Sequence, residues 1–159
     1  MAYSNEWLQL RSAEDAYLTC RYNLLQDKEG MIADLAKALA TVDDKETALR
    51  LLLEAEPGAV VLLSLLPKIM DLAIDSSNIN TIGLAREVLC HYKNESGVRA
   101  DIQSLATAYL AENDEWHYRR IIELYKMLTY VEELAEFLLI CQASDNLEIQ
   151  EIADDFHRV

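Results

Sequence analysis

Apolar residues recur three and four positions apart along most of this chain, and short polar clusters interrupt them. That period is helical, and no stretch keeps the alternation of a strand. Ser4 precedes a first run, Trp7, Leu8, Leu10, Tyr17, Leu18, Tyr22, Leu24 and Leu25, and is its predicted N-cap. Residues 27–30 break the run, and a second helix is predicted over about 31–40, with Ile32, Leu35, Ala36 and Leu39 on one face. Asp43 and Asp44 cap a third helix that turns Ala48, Leu49, Leu52 and Leu53 inward, and Asp43 stands at capping-box spacing from Glu46. Pro57-Gly58 closes it. The stretch 59–74 is apolar around most of its circumference, the mark of a central helix. Pro67 inside it predicts a kink, or the start of a separate short helix. Further helices are predicted over 80–91, 98–112, 115–128 and 131–142, and from Ser144-Asp145-Asn146 to Phe156, with residues 93–97 as the clearest loop.

The interruptions are regular. Asp43, Asn78, Asn113 and Asn146 lie 35, 35 and 33 residues apart, each after a polar cluster and before a helix. Asn78-Ile79-Asn80 with Leu84, Ala85 and Val88 matches Asn146-Leu147-Glu148 with Ile152, Ala153 and Phe156. Two helices in about 35 residues is the period of an α-solenoid, in which pairs stack because one pair cannot cover its own apolar face. The tetratricopeptide Trp–Leu–Gly–Tyr signature and the ankyrin Thr-Pro-Leu-His turn are both absent. From Asp43 onward the chain resembles short HEAT-like repeats. The resemblance implies an all-α, right-handed α-solenoid of antiparallel helix pairs with about seven or eight helices in one domain, residues 1–42 forming an N-terminal capping pair and 43–159 the repeats. An irregular helical bundle is the competing arrangement.

Composition agrees with helix: four Gly and two Pro in 159 residues, with 52% hydrophobic positions to fill a core. Charge narrows the partners. Twenty-eight carboxylates against 14 Lys and Arg give a net charge of −14, and the basic residues come singly or as the pair Arg119-Arg120. Without a basic stripe, binding to nucleic acid or to anionic lipid is disfavoured, and a basic protein is the natural partner. Solubility alone accounts equally for the acidity. Residues 101–159 carry 13 carboxylates and four Lys or Arg, so they hold −9 of the −14. Glu148, Glu151, Asp154 and Asp155 fall opposite Ile149, Ile152 and Phe156 and predict an exposed acidic edge whose like charges repel.

Candidate chemistry is sparse. Cys20, Cys90 and Cys141 all lie within apolar helical runs and read as buried free thiols of a reducing compartment. The opening segment Met1-Ala2-Tyr3-Ser4-Asn5-Glu6-Trp7 lacks the features of a secretory signal, and the apolar run 58–66 is too short for a bilayer, so a cytoplasmic location is expected. Ser64 and Ser76-Ser77 lack a nucleophile context. Cys90 and His91 point about 100° apart on a helix, which does not suit a catalytic pair. His91, His117 and His157 are scattered, and neither a calcium loop nor a glycine-rich phosphate loop occurs, so no metal or cofactor is expected. Glu132, Glu133 and Glu136 at a helix start complement its dipole and also belong to the acidic candidate surface. Trp116, Tyr118, Tyr125 and Tyr130 are either core aromatics or binding anchors.

The segments 113–124 and 146–156 most resemble the HEAT-like small acidic immunity proteins of bacterial polymorphic toxin systems. That resemblance implies a non-enzymatic module that neutralises a basic, nuclease-type toxin, with Asp114, Glu115, Trp116, Tyr118, Glu132, Glu133, Glu136, Glu148, Glu151, Asp154 and Asp155 as the candidate contact residues. The alternatives are a scaffold or adaptor binding a peptide or subunit, and an enzyme or DNA-repair-like solenoid. The last is disfavoured by the missing basic groove.

Overall fold

The computed structural model describes residues 3–157, the side chain of His157 excepted. Met1, Ala2 and the His157 ring, all weighed above, lie outside the described residues. Among the described residues nine α-helices follow one another: α1 (Asn5–Gln26), α2 (Lys28–Leu39), α3 (Lys45–Ala55), α4 (Ala59–Ile74), α5 (Ile79–Tyr92), α6 (Val98–Tyr109), α7 (Glu115–Leu128), α8 (Val131–Gln142) and α9 (Leu147–His157). A 3₁₀ turn, Leu110–Glu112, continues α6. No strand occurs among the described residues. The number matches the helices read one by one from the sequence and exceeds the seven or eight that the solenoid resemblance implied.

The caps explain most of the boundaries. Ser4 accepts from Trp7 N at 3.2 Å, Asn78 from Asn80 N at 2.9 Å and Thr81 N at 3.3 Å, Asp114 from Trp116 N at 2.8 Å, and Asn146 from Glu148 N at 3.0 Å. Residues 27–30 are not a broken stretch. Asp27 caps α2 by accepting from Gly30 N at 3.0 Å, and a Cβ on Gly30 would stand 2.4 Å from the Asp27 carboxylate. Gly30 is therefore the first-turn residue that makes room for the cap. Two expected punctuation points move by one residue. Asp44, not Asp43, is the N-cap of α3 and makes no side-chain cap bond. The Asp43–Glu46 box does not form, because Glu46 is held by Arg50 at 2.9 Å and by the Thr81 hydroxyl at 3.5 Å. Asn113 ends the 3₁₀ turn in the left-handed region, φ 52°, which asparagine tolerates, and Asp114 caps α7.

Helix α4 sits at the centre. Val61, Leu62, Leu65, Leu66, Ile69, Met70, Ala73 and Ile74 are all buried, and α2, α5, α6 and α7 pack around them. It runs through Pro67 as one helix, so no separate short helix starts there, and Pro67 itself faces solvent. Two further series of contacts extend along the chain: α3 with α5, α5 with α7 and α7 with α9, and α2 with α4 and α4 with α6. Arginines fasten these layers. Arg120 donates to the carbonyls of Ile74 at 2.5 Å and Ser76 at 2.9 Å, and Arg86 donates to Ala73 O at 3.4 Å. They satisfy carbonyls that the C-terminus of α4 would otherwise leave without partners. Tyr130 donates to Lys93 O at 2.8 Å and Tyr92 to Leu52 O at 3.4 Å, joining α5 to its neighbours on both sides.

Helix α1 departs from expectation. It carries no buried residue, and its only substantial packing is on α2. Leu24 and Leu25 near its end are half-buried against the core, while Trp7, Leu8, Leu10, Tyr17, Leu18 and Tyr22 are exposed. Cys20 is exposed for the same reason, contrary to the expectation of a buried thiol; Cys90 is intermediate and Cys141 buried.

Two substitutions test this account by denaturant unfolding. Pro67→Ala restores a backbone donor on an exposed position and raises stability by about 1–2 kcal/mol. Asn78→Ala strips the cap of α5 and lowers it by about 1 kcal/mol.

Candidate functional site

The N-termini of α7 and α9 lie side by side, because α7 and α9 pack together and both begin after a capped turn. The Glu115 carboxyl is pushed above the ordinary carboxylate range, chiefly by the neighbouring charge of Glu148. Asp114 adds a smaller contribution in the same direction, and Arg119 opposes it. Arg119 also reaches Asp155 at 3.3 Å. Glu148, Glu151, Asp154 and Asp155 are all exposed, opposite the buried Ile149, Ile152 and Ala153. Asp114, Glu115, Glu148 and Asp155 thus form one strip along α7 and α9, with Arg119 as the cation among them. Trp116, 61% exposed, stands within the same first turn of α7.

Two candidates are buried and do not reach any surface. Tyr118 is buried, packs on Phe137 with ring centroids 5.5 Å apart and donates to Leu110 O at 3.4 Å. Tyr125 and Tyr130 are buried in the same aromatic cluster, and burial pushes the Tyr125 phenol up to about 12. Only Trp116 of the four aromatics reaches solvent freely. Glu133 is also buried, gripped by Arg99 through Nε at 2.5 Å and Nη2 at 2.7 Å, which holds its carboxyl below the usual range. The period-based reading missed this because the first turn of α8 faces Arg99 at the start of α6, 34 residues earlier. Glu132 and Glu136 are exposed, and Glu132 shares Arg99 at 3.3 Å. They lie on α8, outside the α7–α9 strip.

The structure adds a neighbouring polar hollow of about 490 Å³ that the sequence reading did not assemble. Asp71 of α4, Asp75 at its C-cap, Tyr109, Glu112 and His117 line it. His117 is buried: its Nε2 lies 3.2 Å from Asp75 and its Nδ1 3.3 Å from Glu112, the latter without forming a hydrogen bond. Tyr109 donates to Asp71 and stacks edge-on against His117 at 5.1 Å, and burial raises its phenol well above the ordinary value. An adjoining hollow continues past His117 to Asp114 and Trp116. The signal for this grouping was an offset of one layer: His117 meets Asp75 across 42 residues and Tyr109 meets Asp71 across 38.

Among the described residues no group of three His, Cys, Asp or Glu side chains is placed to hold a metal ion. The Cys141 thiol is buried and pushed up to about 11, and Cys90 donates to Met127 O at 3.5 Å. No helix among the described residues is long and apolar enough to cross a membrane. Comparison with protein-family models, with characterised proteins and with solved structures finds no match for this chain.

The Glu115–Glu148 contact has a definite pH sign. A carboxyl raised in the folded state destabilises the fold above that raised value, and the cost disappears as pH falls through it. Glu148→Gln returns the Glu115 titration, followed by NMR, toward the ordinary range and raises Tm at pH 7. The gain in Tm vanishes at a pH low enough to protonate Glu115.

Proposed function

We propose that this chain is a non-enzymatic binding module that captures a basic protein through the carboxylate strip of α7 and α9, in the manner of an immunity protein neutralising a nuclease-type toxin. The observation that carries this reading is the run of exposed carboxylates on the packed helices α7 and α9, where the charge of Glu148 raises the Glu115 carboxyl, beside an exposed Trp116. Two carboxylates held together by the fold resist each other's ionisation, and a docking cation removes that cost. An exposed tryptophan at the edge of a charged patch is the kind of residue that anchors an interface. Asp75 and Glu112, both largely exposed beside His117, extend the negative surface toward α4. Carboxylates so arranged would present a nuclease with a substitute for the phosphates its basic cleft receives, and would steer fast association.

The same proposal takes the helices as a right-handed, HEAT-like solenoid of stacked antiparallel pairs. The successive packing of α3, α5, α7 and α9, and of α2, α4 and α6, supports it. So do the side-chain bonds that recur at about one period: Thr81 to Glu46, Arg86 to Glu123, Arg99 to Glu133 and Arg119 to Asp155 span 34–37 residues.

The test uses a panel of basic nuclease toxins and, as control, a basic peptide-binding target of an adaptor. Affinity for the cognate toxin falls steeply between about 50 and 500 mM salt, because the contact is between exposed charges. E148K, E151K and D155K together abolish it. Undiminished binding by that triple variant refutes the acidic-capture reading and favours the adaptor alternative.

A further inference from the structure

We propose that the polar hollow beside His117 binds a guanidinium group, and, in a second step that rests on the acidic-capture reading, that the group is an arginine side chain of the basic partner. The argument starts from a donor that the chain does not supply. Carboxylates only accept hydrogen bonds, and a neutral imidazole has a single N–H. His117 lies between two carboxylates and can donate to only one of them. Its Nε2 makes a hydrogen bond with Asp75 at 3.2 Å. Its Nδ1 stands 3.3 Å from Glu112 without one, is sealed from solvent and has no partner among the described residues. The residue as a whole is 7% exposed. A lone pair and a carboxylate therefore face each other, and a buried acceptor left in this way is costly.

The hollow around this contact is rich in acceptors. Among the described residues that line it, three carboxylates, Asp71, Asp75 and Glu112, stand against one cation, Lys45. Tyr109 donates to Asp71, but a carboxylate accepts at both oxygens, so Asp71 keeps further capacity. The Asp75 and Glu112 side chains are 71% and 62% exposed and can turn toward an arriving group. When Glu112 does so, its charge leaves the Nδ1 lone pair. The arrangement does not suit a metal ion, since no three of these ligands converge.

The geometry selects guanidinium over ammonium. A guanidinium carries five N–H donors in one plane, whereas an ammonium is a compact point charge. The acceptors here are spread over three side chains and lie on both sides of the imidazole, so a planar fork meets several at once. The wall is aromatic as well: the Tyr109 and His117 rings both line the hollow, 5.1 Å apart. Guanidinium stacks on aromatic rings and is the more weakly hydrated of the two cations. The adjoining hollow, about 340 Å³, runs from His117 to Asp114 and Trp116 at the start of the carboxylate strip. Arg120 on its wall is already engaged by the carbonyls of Ile74 and Ser76. An arginine of a protein lying on α7 and α9 thus has a path past Trp116 to His117.

NMR titration of the full chain with N-acetyl-arginine amide tests the first step. At about 150 mM salt, which screens exposed charges beyond about 8 Å, this compound shifts the His117 ring signals saturably. N-acetyl-lysine amide binds at least about fivefold more weakly. Asp75→Asn and Glu112→Gln each weaken the arginine compound about tenfold, and thermal unfolding verifies that both variants fold. E148K, E151K and D155K together leave its affinity within about twofold. Failure of toxin capture therefore sinks the acidic-capture reading while this site stands. With a captured toxin, one arginine-to-lysine substitution in the toxin weakens capture about tenfold on the unsubstituted chain and not on Asp75→Asn. A captured toxin in which no arginine behaves so overturns the second step. The site itself is overturned by any of three results: equal or absent response of His117 to the two compounds, insensitivity to both Asp75→Asn and Glu112→Gln, or ring nitrogen shifts showing both His117 nitrogens protonated in the unliganded chain at about pH 8.

Discussion

The structure depends on one constraint: a pair of helices cannot bury both of its apolar faces by itself. Helix α4 shows it most clearly. It turns eight side chains into the core from several directions, and only four neighbours, α2, α5, α6 and α7, together enclose them. Burying such side chains is worth on the order of 2 kcal/mol each, which no surface contact in this molecule rivals. Every later helix repeats the problem in milder form, each leaving a face that the next must cover. The capped turns at Asp44, Asn78, Asp114 and Asn146 then set the interval at which this happens.

The charge distribution follows from where the arginines are needed. Arg86 and Arg120 are drawn inward by the carbonyls at the end of α4, while Arg99 holds the buried Glu133 from an exposed position. With Arg86 and Arg120 serving as internal fasteners, the other cations are spread over the rest of the chain, and Arg119 is the one that accompanies the α7–α9 strip. The acidity of that surface is thus more than a matter of composition. Of the four Lys and Arg in residues 101–159, Arg120 is spent on the carbonyls after α4.

Much of the helical layout was legible in the sequence because period and caps are local properties. The helix over 59–74, the cap at Asn78 and the loop at 93–97 needed nothing beyond neighbouring residues. The exposed acidic edge of α9 was legible for the same reason, since Ile149 and Ile152 fix which side faces in. What escaped was set by contacts across a layer. Glu133 looked like a surface residue until Arg99 arrived from α6, and Tyr118 stood open between core and binding anchor until Phe137 packed on it from α8. Asp71, Tyr109 and His117 had no reason to be grouped while 38 to 42 residues separated the members of each pair. The α1 apolar run misled in the opposite sense. Its spacing promised burial, but among the described residues only Leu24 and Leu25 of that run are half-buried against the core.

The ties between layers have a mechanical consequence. The long-range side-chain bonds join residues about 33 to 46 positions apart, from Arg99–Glu132 to Arg120–Ile74. Few link the two ends of the chain. A molecule fastened in this way behaves as springs connected in series rather than as a rigid block. A small twist at each junction adds to the next, so the α7–α9 edge can alter its curvature against a rigid object by distributing the deformation. No single core contact then has to break.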